Sequence, residues 1–145
     1  MLQSVTALPD RGQTVVIDTN IVLDLLVFAD EVTAPLRQAL EGGELRWLAT
    51  PAMRDELERV LAYPKIVSRL AFYQLTAGEV LSTFDATVHL CDVPGKSAMA
   101  CRDADDQKFI DLAIAHQALL LSKDRHILSM KKRILACGGR AQSTM

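Results

Sequence analysis

The chain has 145 residues, of which 50% are apolar and 23% are charged, and this size and composition suit one compact domain with its own core. Its formal net charge of −2 excludes a protein that binds nucleic acid through a uniformly basic surface, so any such contact must be a local patch. No apolar run approaches the roughly 20 residues of a membrane span, and the first residues lack the pattern of a secretory signal. We therefore expect a cytoplasmic protein without membrane contact.

The first predicted strand follows a loose leader. Residues 1–13 are predicted to precede a single domain that spans residues 14–145. The β-branched run TVVID, at residues 14–18, predicts a buried strand. We expect Asn20 to cap the helix that follows, and we expect that helix to end near Phe28.

The rest of the chain also alternates between strands and helices. Helices are predicted at residues 31–41, 51–63, 65–74, 77–85 and 104–118 and from about 126, and strands at 46–49, 87–91 and 119–122. This alternation favours an α/β layer fold with a mostly parallel sheet. The three cysteines have no CxxC spacing, and we interpret Cys91, Cys101 and Cys137 as structural or free thiols of a reducing compartment.

Two carboxylates follow predicted strands. Asp18 comes directly after the first strand, and Asp124 comes shortly after the strand at 119–122. Ligand sites of parallel α/β sheets lie beyond the carboxyl ends of the strands, so both residues are candidates for such a site. An aspartate in this position is also a common helix cap, and each residue alone is equally well explained that way.

Two further carboxylates lean toward apolar helix faces. At 100° per residue, Glu56 lies on the edge of the apolar arc of its helix, whereas Asp55 points to the other side. Asp106 projects close to the middle of the apolar face of the helix at 104–118, and Asp111 points away from it. An acid in a first helical turn complements the helix dipole, but this does not explain the inward placement of Asp106.

Together the four carboxylates Asp18, Glu56, Asp106 and Asp124 predict one shared pocket. Without a counter-ion they would repel one another and raise each other's pKa values. A set of oxygen ligands without histidine or cysteine favours Mg²⁺ or Mn²⁺ over zinc. Such a site supports metal-assisted hydrolysis of phosphodiester bonds.

The stretches that carry these acids resemble the motifs of PIN-domain ribonucleases. VVIDTNIVLDLL resembles the opening of that family, and ATPAMRDELERVL resembles its second acidic motif. RDADDQKFIDLAIAHQALLLSKDRHIL resembles the third and fourth motifs and is close to the RDPDDxKF variant of VapC-like toxins of toxin–antitoxin systems. The resemblance covers roughly residues 14–128.

The resemblance implies a three-layer α/β/α sandwich with a central, mostly parallel sheet of about five strands. It also implies an Mg²⁺- or Mn²⁺-dependent endoribonuclease that leaves 5′-phosphate and 3′-hydroxyl ends, and a toxin held by a cognate antitoxin, with a homodimer as a further assembly. By motif, Asp18, Glu56, Asp106 and Asp124 are the catalytic, metal-binding acids, and the accessory residues are Asn20, Asp103, Asp105 and Ser122. Ala104 replaces the usual proline. The tail RAQST has poor strand propensity, so the last strand is expected to be frayed.

The basic and aromatic residues are open to more than one interpretation. Lys123, Arg125 and His126 could contact RNA beside the acids, together with Lys131, Lys132 and Arg133, or they could form an ordinary solvated face. The histidines match no metal-ligand spacing. The aromatic residues are too scattered for a base-stacking platform, and we assign the following to the core: Trp47, Phe72, Tyr73, Phe84 and Phe109.

Two other classes of function are compatible with parts of this pattern. A catalytically weak PIN-fold module could act by binding protein or RNA, although the complete set of acids argues against it. A phosphoacceptor receiver domain also places an aspartate after a strand. Receivers, however, need paired early acids and a later lysine, and IDTN supplies one acid.

Overall fold

The computed structural model describes residues 13–95 and 104–145, with side chains described for residues 13–95 and 106–145. The predicted leader therefore lies outside the described residues except for Gln13, which begins the first strand. Asp103 and Cys101 also lie outside them.

The described residues form one five-stranded sheet in which every pairing is parallel. The strands are β1 (Gln13–Ile17), β2 (Leu45–Ala49), β3 (His89–Leu90), β4 (Leu119–Leu121) and β5 (Arg140–Gln142). Their order in the sheet is β3-β2-β1-β4-β5, so β1 is central. The chain moves outward from β1 to β3 and then crosses back to the other side of β1, which makes the gap between β1 and β4 the point where the winding reverses.

The helices occupy both faces of this sheet. They are α1 (Thr19–Leu26), α2 (Ala34–Glu41), α3 (Pro51–Leu61), α4 (Pro64–Phe72), α5 (Ala77–Thr87), α6 (Ala104–His116), α7 (Arg125–Leu128) and α8 (Lys131–Ala136), with a 3-10 turn at Glu31–Thr33. Right-handed crossovers place α1–α5 on one face and α6–α8 on the other, and α6 packs on β1 and β4. The predicted three-layer α/β/α fold is confirmed.

The central strand is buried because it has helices on both sides. Val15 and Val16 have no exposed surface, which explains why β1 reads as a continuous apolar run and not as an alternating one. On β2, Trp47 is 1% exposed and meets the ring of Phe84 from α5 edge to face, with 5.2 Å between the ring centroids. Phe109 of α6 is also buried, so these three aromatic assignments to the core are confirmed.

Two other aromatic assignments were wrong. Phe72 is 77% exposed and Tyr73 is 37% exposed, at the end of α4, where their rings pack mainly on each other. The apolar pattern of residues 65–74 does not reveal this, because α4 is an outer helix whose buried residues are limited to Leu70.

Several predicted boundaries also differ from the structure. Asn20 does not cap α1, because the helix already begins at Thr19 and Asp18 holds the cap position. The strand predicted at 87–91 is reduced to two residues, since α5 continues to Thr87. The last strand forms, although its propensity is poor, because the neighbouring β4 pairs with it and Ala141 is buried. No helix among the described residues is long and apolar enough to cross a membrane.

Candidate active site

Asp18 lies at the carboxyl end of the central strand, at the position where the winding of the sheet reverses. Its backbone N–H continues the sheet pattern by donating to the carbonyl of Leu121 (2.9 Å). The side chain is 6% exposed, and it makes no side-chain cap on α1. Burial raises the pKa of the Asp18 carboxyl above its ordinary value, and the nearby charges of Glu56 and Asp124 raise it further. Simple capping therefore does not explain this carboxylate.

Ser122 connects Asp18 to the end of the neighbouring strand β4. Its hydroxyl donates a hydrogen bond to Asp18 Oδ2 (2.7 Å) and accepts one from the backbone N–H of Asp124 (3.0 Å). The hydrogen bond to Asp18 opposes the rise in that residue's pKa. Ser122 is fully buried, so it fixes the relative positions of the two strand ends.

We expect Ser122→Ala to lower the free energy of unfolding by about 1.5–3 kcal/mol, the usual value of a hydrogen bond to a charged group. The substitution also raises the pKa of Asp18 further, because the hydrogen bond that lowers it is lost. Urea unfolding measures the change. Ser129→Ala is the matched control, since that exposed hydroxyl donates to the carbonyl of His126, and it should cost less than about 1 kcal/mol. Equal losses in both variants would contradict the assigned role.

Asp124 is partly buried and caps the short helix α7. Its Oδ1 accepts a hydrogen bond from the backbone N–H of His126 (2.7 Å). The capping interpretation is therefore correct for Asp124, but the same carboxylate is close enough to Asp18 to raise that residue's pKa. Asp124 both ends a loop and contributes negative charge to the site.

Glu56 reaches the site from α3, and both of its carboxylate oxygens bind other side chains. Oε2 accepts a hydrogen bond from the hydroxyl of Thr19 (2.5 Å), the first residue of α1. Oε1 forms an ion pair with Lys108 Nζ, which comes from α6. The Glu56 side chain is only 15% exposed, in agreement with its predicted inward lean.

Asp106 lies in the first turn of α6, two residues before Lys108, and is 6% exposed. This burial agrees with the predicted inward orientation, in contrast to Asp111, which is partly exposed and accepts a hydrogen bond from Gln107 (2.8 Å). The side chain of Asp105 and the whole of Asp103 lie outside the described residues. Asn20 is exposed on α1, two residues after Asp18.

The geometry draws these acids toward one end of the sheet without forming a finished metal site. Among the side chains of residues 13–95 and 106–145, no three from His, Cys, Asp and Glu are close enough to hold an ion jointly. The donor set nevertheless fits Mg²⁺ or Mn²⁺ chemically. The acids contribute only oxygen, and Asp18 is a buried carboxylate whose raised pKa records two neighbouring negative charges that a cation would neutralise.

A protein-family model described as a PIN domain matches residues 14–126. The chain belongs to the PIN domain family. PIN domains are generally nucleases that use divalent metal ions. The match includes all four carboxylates predicted to form the site.

Two known proteins are similar to this PIN domain. An uncharacterized protein of Methanocaldococcus jannaschii, MJ1680, is 24% identical over 117 residues, which cover 81% of this chain and 74% of that protein. A chain in the crystal structure of VapBC2 from Rickettsia felis, bound to a DNA fragment from their promoter, has a TM-score of 0.60 and 14% identity. The alignment covers 90% of this chain and 98% of that one, and it shows a shared fold.

The basic residues beside the acids of the PIN domain are exposed, as expected for either a solvated face or an RNA contact. Lys123 forms an ion pair with Asp24 of α1 (2.6 Å), and Arg125 and His126 lie on the outer side of α7. Lys123 and Asp24 also line a largely apolar cavity of about 330 Å³ between α1, the end of β4 and the last residues of the chain. The site therefore has a charged rim on one side.

Sequence reasoning did not identify Thr19 and Lys108, the two residues that bind Glu56. Thr19 is next to Asp18, and this adjacency was the available signal. Lys108 lies 52 residues from Glu56, and nothing in the helical periodicity pairs the two.

Proposed function

We propose that this PIN domain is a metal-dependent endoribonuclease that acts in the cytoplasm as the toxin of a type II toxin–antitoxin pair. The observation that carries the proposal is the grouping of Asp18, Glu56 and Asp124 near the gap between β1 and β4, where each of the other two charges raises the pKa of Asp18. Buried Asp106 reaches the same sheet from α6. Ligand sites of parallel α/β sheets lie at this kind of position.

In the proposed mechanism, Asp18, Asp106 and Asp124 hold Mg²⁺ or Mn²⁺, and Glu56 completes or positions the site. The bound ion supplies an activated water and neutralises charge that develops at the phosphate. Ser122 orients Asp18 through the 2.7 Å hydrogen bond. Lys123, Arg125 and His126 are exposed beside these acids and are proposed to contact the RNA backbone. Asn20, Asp103 and Asp105 are proposed accessory residues.

The proposed partners are RNA as substrate, a cognate antitoxin and a second copy of the chain. The shared fold with a chain of VapBC2 from Rickettsia felis supports the antitoxin as a partner. The motif RDADDQKF, which resembles that of VapC-like toxins, supports it independently.

One observation favours a second candidate, a PIN-fold module that binds protein or RNA without cutting it. The carboxylates already interact with groups of the chain itself: Glu56 with Lys108 and Thr19, and Asp124 with its own helix. In a protein that never binds a metal, such interactions would satisfy the acids permanently. Inert chemistry with every divalent ion, combined with stable complex formation, would support this candidate.

Asp106→Asn is the test of the proposed nuclease. Cleavage of single-stranded RNA in Mn²⁺ should fall at least about 100-fold, because a correctly held ion contributes several kcal/mol to transition-state stabilisation. Asp111→Asn, the same substitution on the outer side of the same helix, should leave the rate within about twofold. Cleavage is followed on a labelled oligonucleotide, with and without a chelator. Equal rates for wild type and Asp106→Asn would disprove the assignment.

A further inference from the structure

Lys108 brings a positive charge into the acidic site. Its ammonium forms an ion pair with Glu56 Oε1, and the side chain is only 24% exposed. The same ammonium lies 4.9 Å from the centroid of the buried Phe109 ring, whose face attracts cations. The charge is therefore partly removed from water and directed by two contacts, in contrast to an ordinary surface lysine.

The partner of Lys108 is itself part of the site. Glu56 is near enough to Asp18 to raise its pKa, and its second oxygen is bound by Thr19, the residue that follows Asp18. Lys108 thus reaches from α6 across to α3 and neutralises one of the carboxylates that the family motifs assign to metal binding. This arrangement also explains why no three acids converge among the described side chains.

We propose that Lys108 takes the place of a second metal ion, so that the site binds a single divalent cation. Asp18, Asp106 and Asp124 hold that ion, and Glu56 is occupied by Lys108. Some phosphodiesterases use two metal ions to neutralise the attacking and leaving oxygens. Here the fixed ammonium supplies the second positive charge. The inference rests on the proposed metal-dependent function and adds the number of ions and the role of Lys108.

The electrostatics favour one ion over two. A second divalent ion would need oxygen ligands from Glu56, and both Glu56 oxygens already bind side chains of the protein. Displacing Lys108 would leave an ammonium beside a divalent cation in a poorly solvated position, which is strongly unfavourable. Removing the lysine charge should therefore free Glu56 and open the second position.

The number of bound ions is the direct test, and it does not depend on catalysis. Mn²⁺ is titrated into the full chain, and free Mn²⁺ is counted by electron paramagnetic resonance. We expect one ion per chain for wild type and two for Lys108→Met, with the second bound more weakly. Lys108→Arg retains the charge and should stay at one ion. Lys65→Met, the same change at an exposed lysine of α4, should also stay at one.

Glu56→Gln provides a second test in case Lys108→Met does not fold. If the ion is held by the three aspartates, this variant still binds one Mn²⁺, with affinity reduced by no more than about tenfold because only a neighbouring charge is lost. Complete loss of binding would make Glu56 a direct ligand and overturn the inference. Two ions in wild type, or one ion with unchanged affinity in Lys108→Met, would also overturn it while leaving the nuclease proposal intact. Absence of binding in wild type would remove both.

Discussion

Asp18→Asn is expected to abolish metal-dependent RNA cleavage and, at the same time, to make the metal-free protein more stable to heat. Burial and the charges of Glu56 and Asp124 raise the pKa of Asp18, so the fold disfavours the charged form of this side chain. Asparagine has nearly the same shape without the charge, so the penalty disappears. Loss of one of three proposed metal ligands should lower the cleavage rate at least about 100-fold.

The stability effect has a definite pH dependence. Because the folded-state pKa of Asp18 is raised, the folded state binds more protons than the unfolded state between the ordinary aspartate pKa and the raised one. The stability of wild type therefore falls as pH rises through that window, and the penalty is fully present above it. In Asp18→Asn this component is absent, so the difference in Tm between the two proteins should grow with pH and then level off.

Thermal unfolding in a chelator, at several pH values, measures this difference. Asp85→Asn is a control of opposite sign, because the hydrogen bond from Arg54 lowers the pKa of Asp85 and favours its charged form. That variant should be slightly less stable than wild type at neutral pH. A lower Tm for Asp18→Asn than for wild type above the window would show that Asp18 stabilises the fold, contrary to its proposed role.

Trp47→Ala is expected to have the largest effect on stability, a loss of about 3–5 kcal/mol. Trp47 is 1% exposed in β2, and its ring meets that of Phe84 edge to face, so the substitution leaves a cavity between the sheet and α5. Such a loss is a large part of the total stability of a domain, which is about 5–15 kcal/mol. Urea unfolding followed by circular dichroism measures it, because the chain has only one tryptophan to report by fluorescence.

Phe72→Ala is the matched control for this substitution. Phe72 is 77% exposed on α4, so its truncation creates no internal cavity and should change stability by no more than about 0.5 kcal/mol. Similar losses in Trp47→Ala and Phe72→Ala would mean that the ring of Phe72 is covered in solution. A small loss in Trp47→Ala would mean that the core around β2 relaxes to fill the space.

Most of the fold could be predicted because its signals are local. The run Val15–Ile17 is apolar on every residue, as a strand covered on both faces must be, and the periodicity of α6 correctly placed Asp106 inside. The last strand could not be predicted in this way, since Ala141 is buried by pairing with β4 and not by its own propensity. The exposure of Phe72 also depends on position, because an outer helix has few partners.

The site was only partly predictable, for a different physical reason. The positions of Asp18 and Asp124 follow from the rule that ligand sites lie at strand ends, and that rule needs only the order of the elements. The ion pair of Glu56 with Lys108 joins two long, flexible side chains on separate helices, and no periodicity or propensity encodes such a contact. The hydrogen bond from Ser122 to Asp18 likewise depends on β1 and β4 being neighbours in space.

The hydrogen bond between Ser122 and Asp18 joins residues 104 positions apart, and this separation has a consequence for how the protein is made. A ribosome adds about 5–20 residues per second, so roughly 5–20 s pass between the synthesis of the first strand of the site and that of the strand that completes it. A nascent chain shorter than this lacks Asp106 and Asp124 altogether. A nuclease that can cut the RNA of its own cell thus stays harmless during translation, which gives a co-produced inhibitor time to be present when the last strands dock.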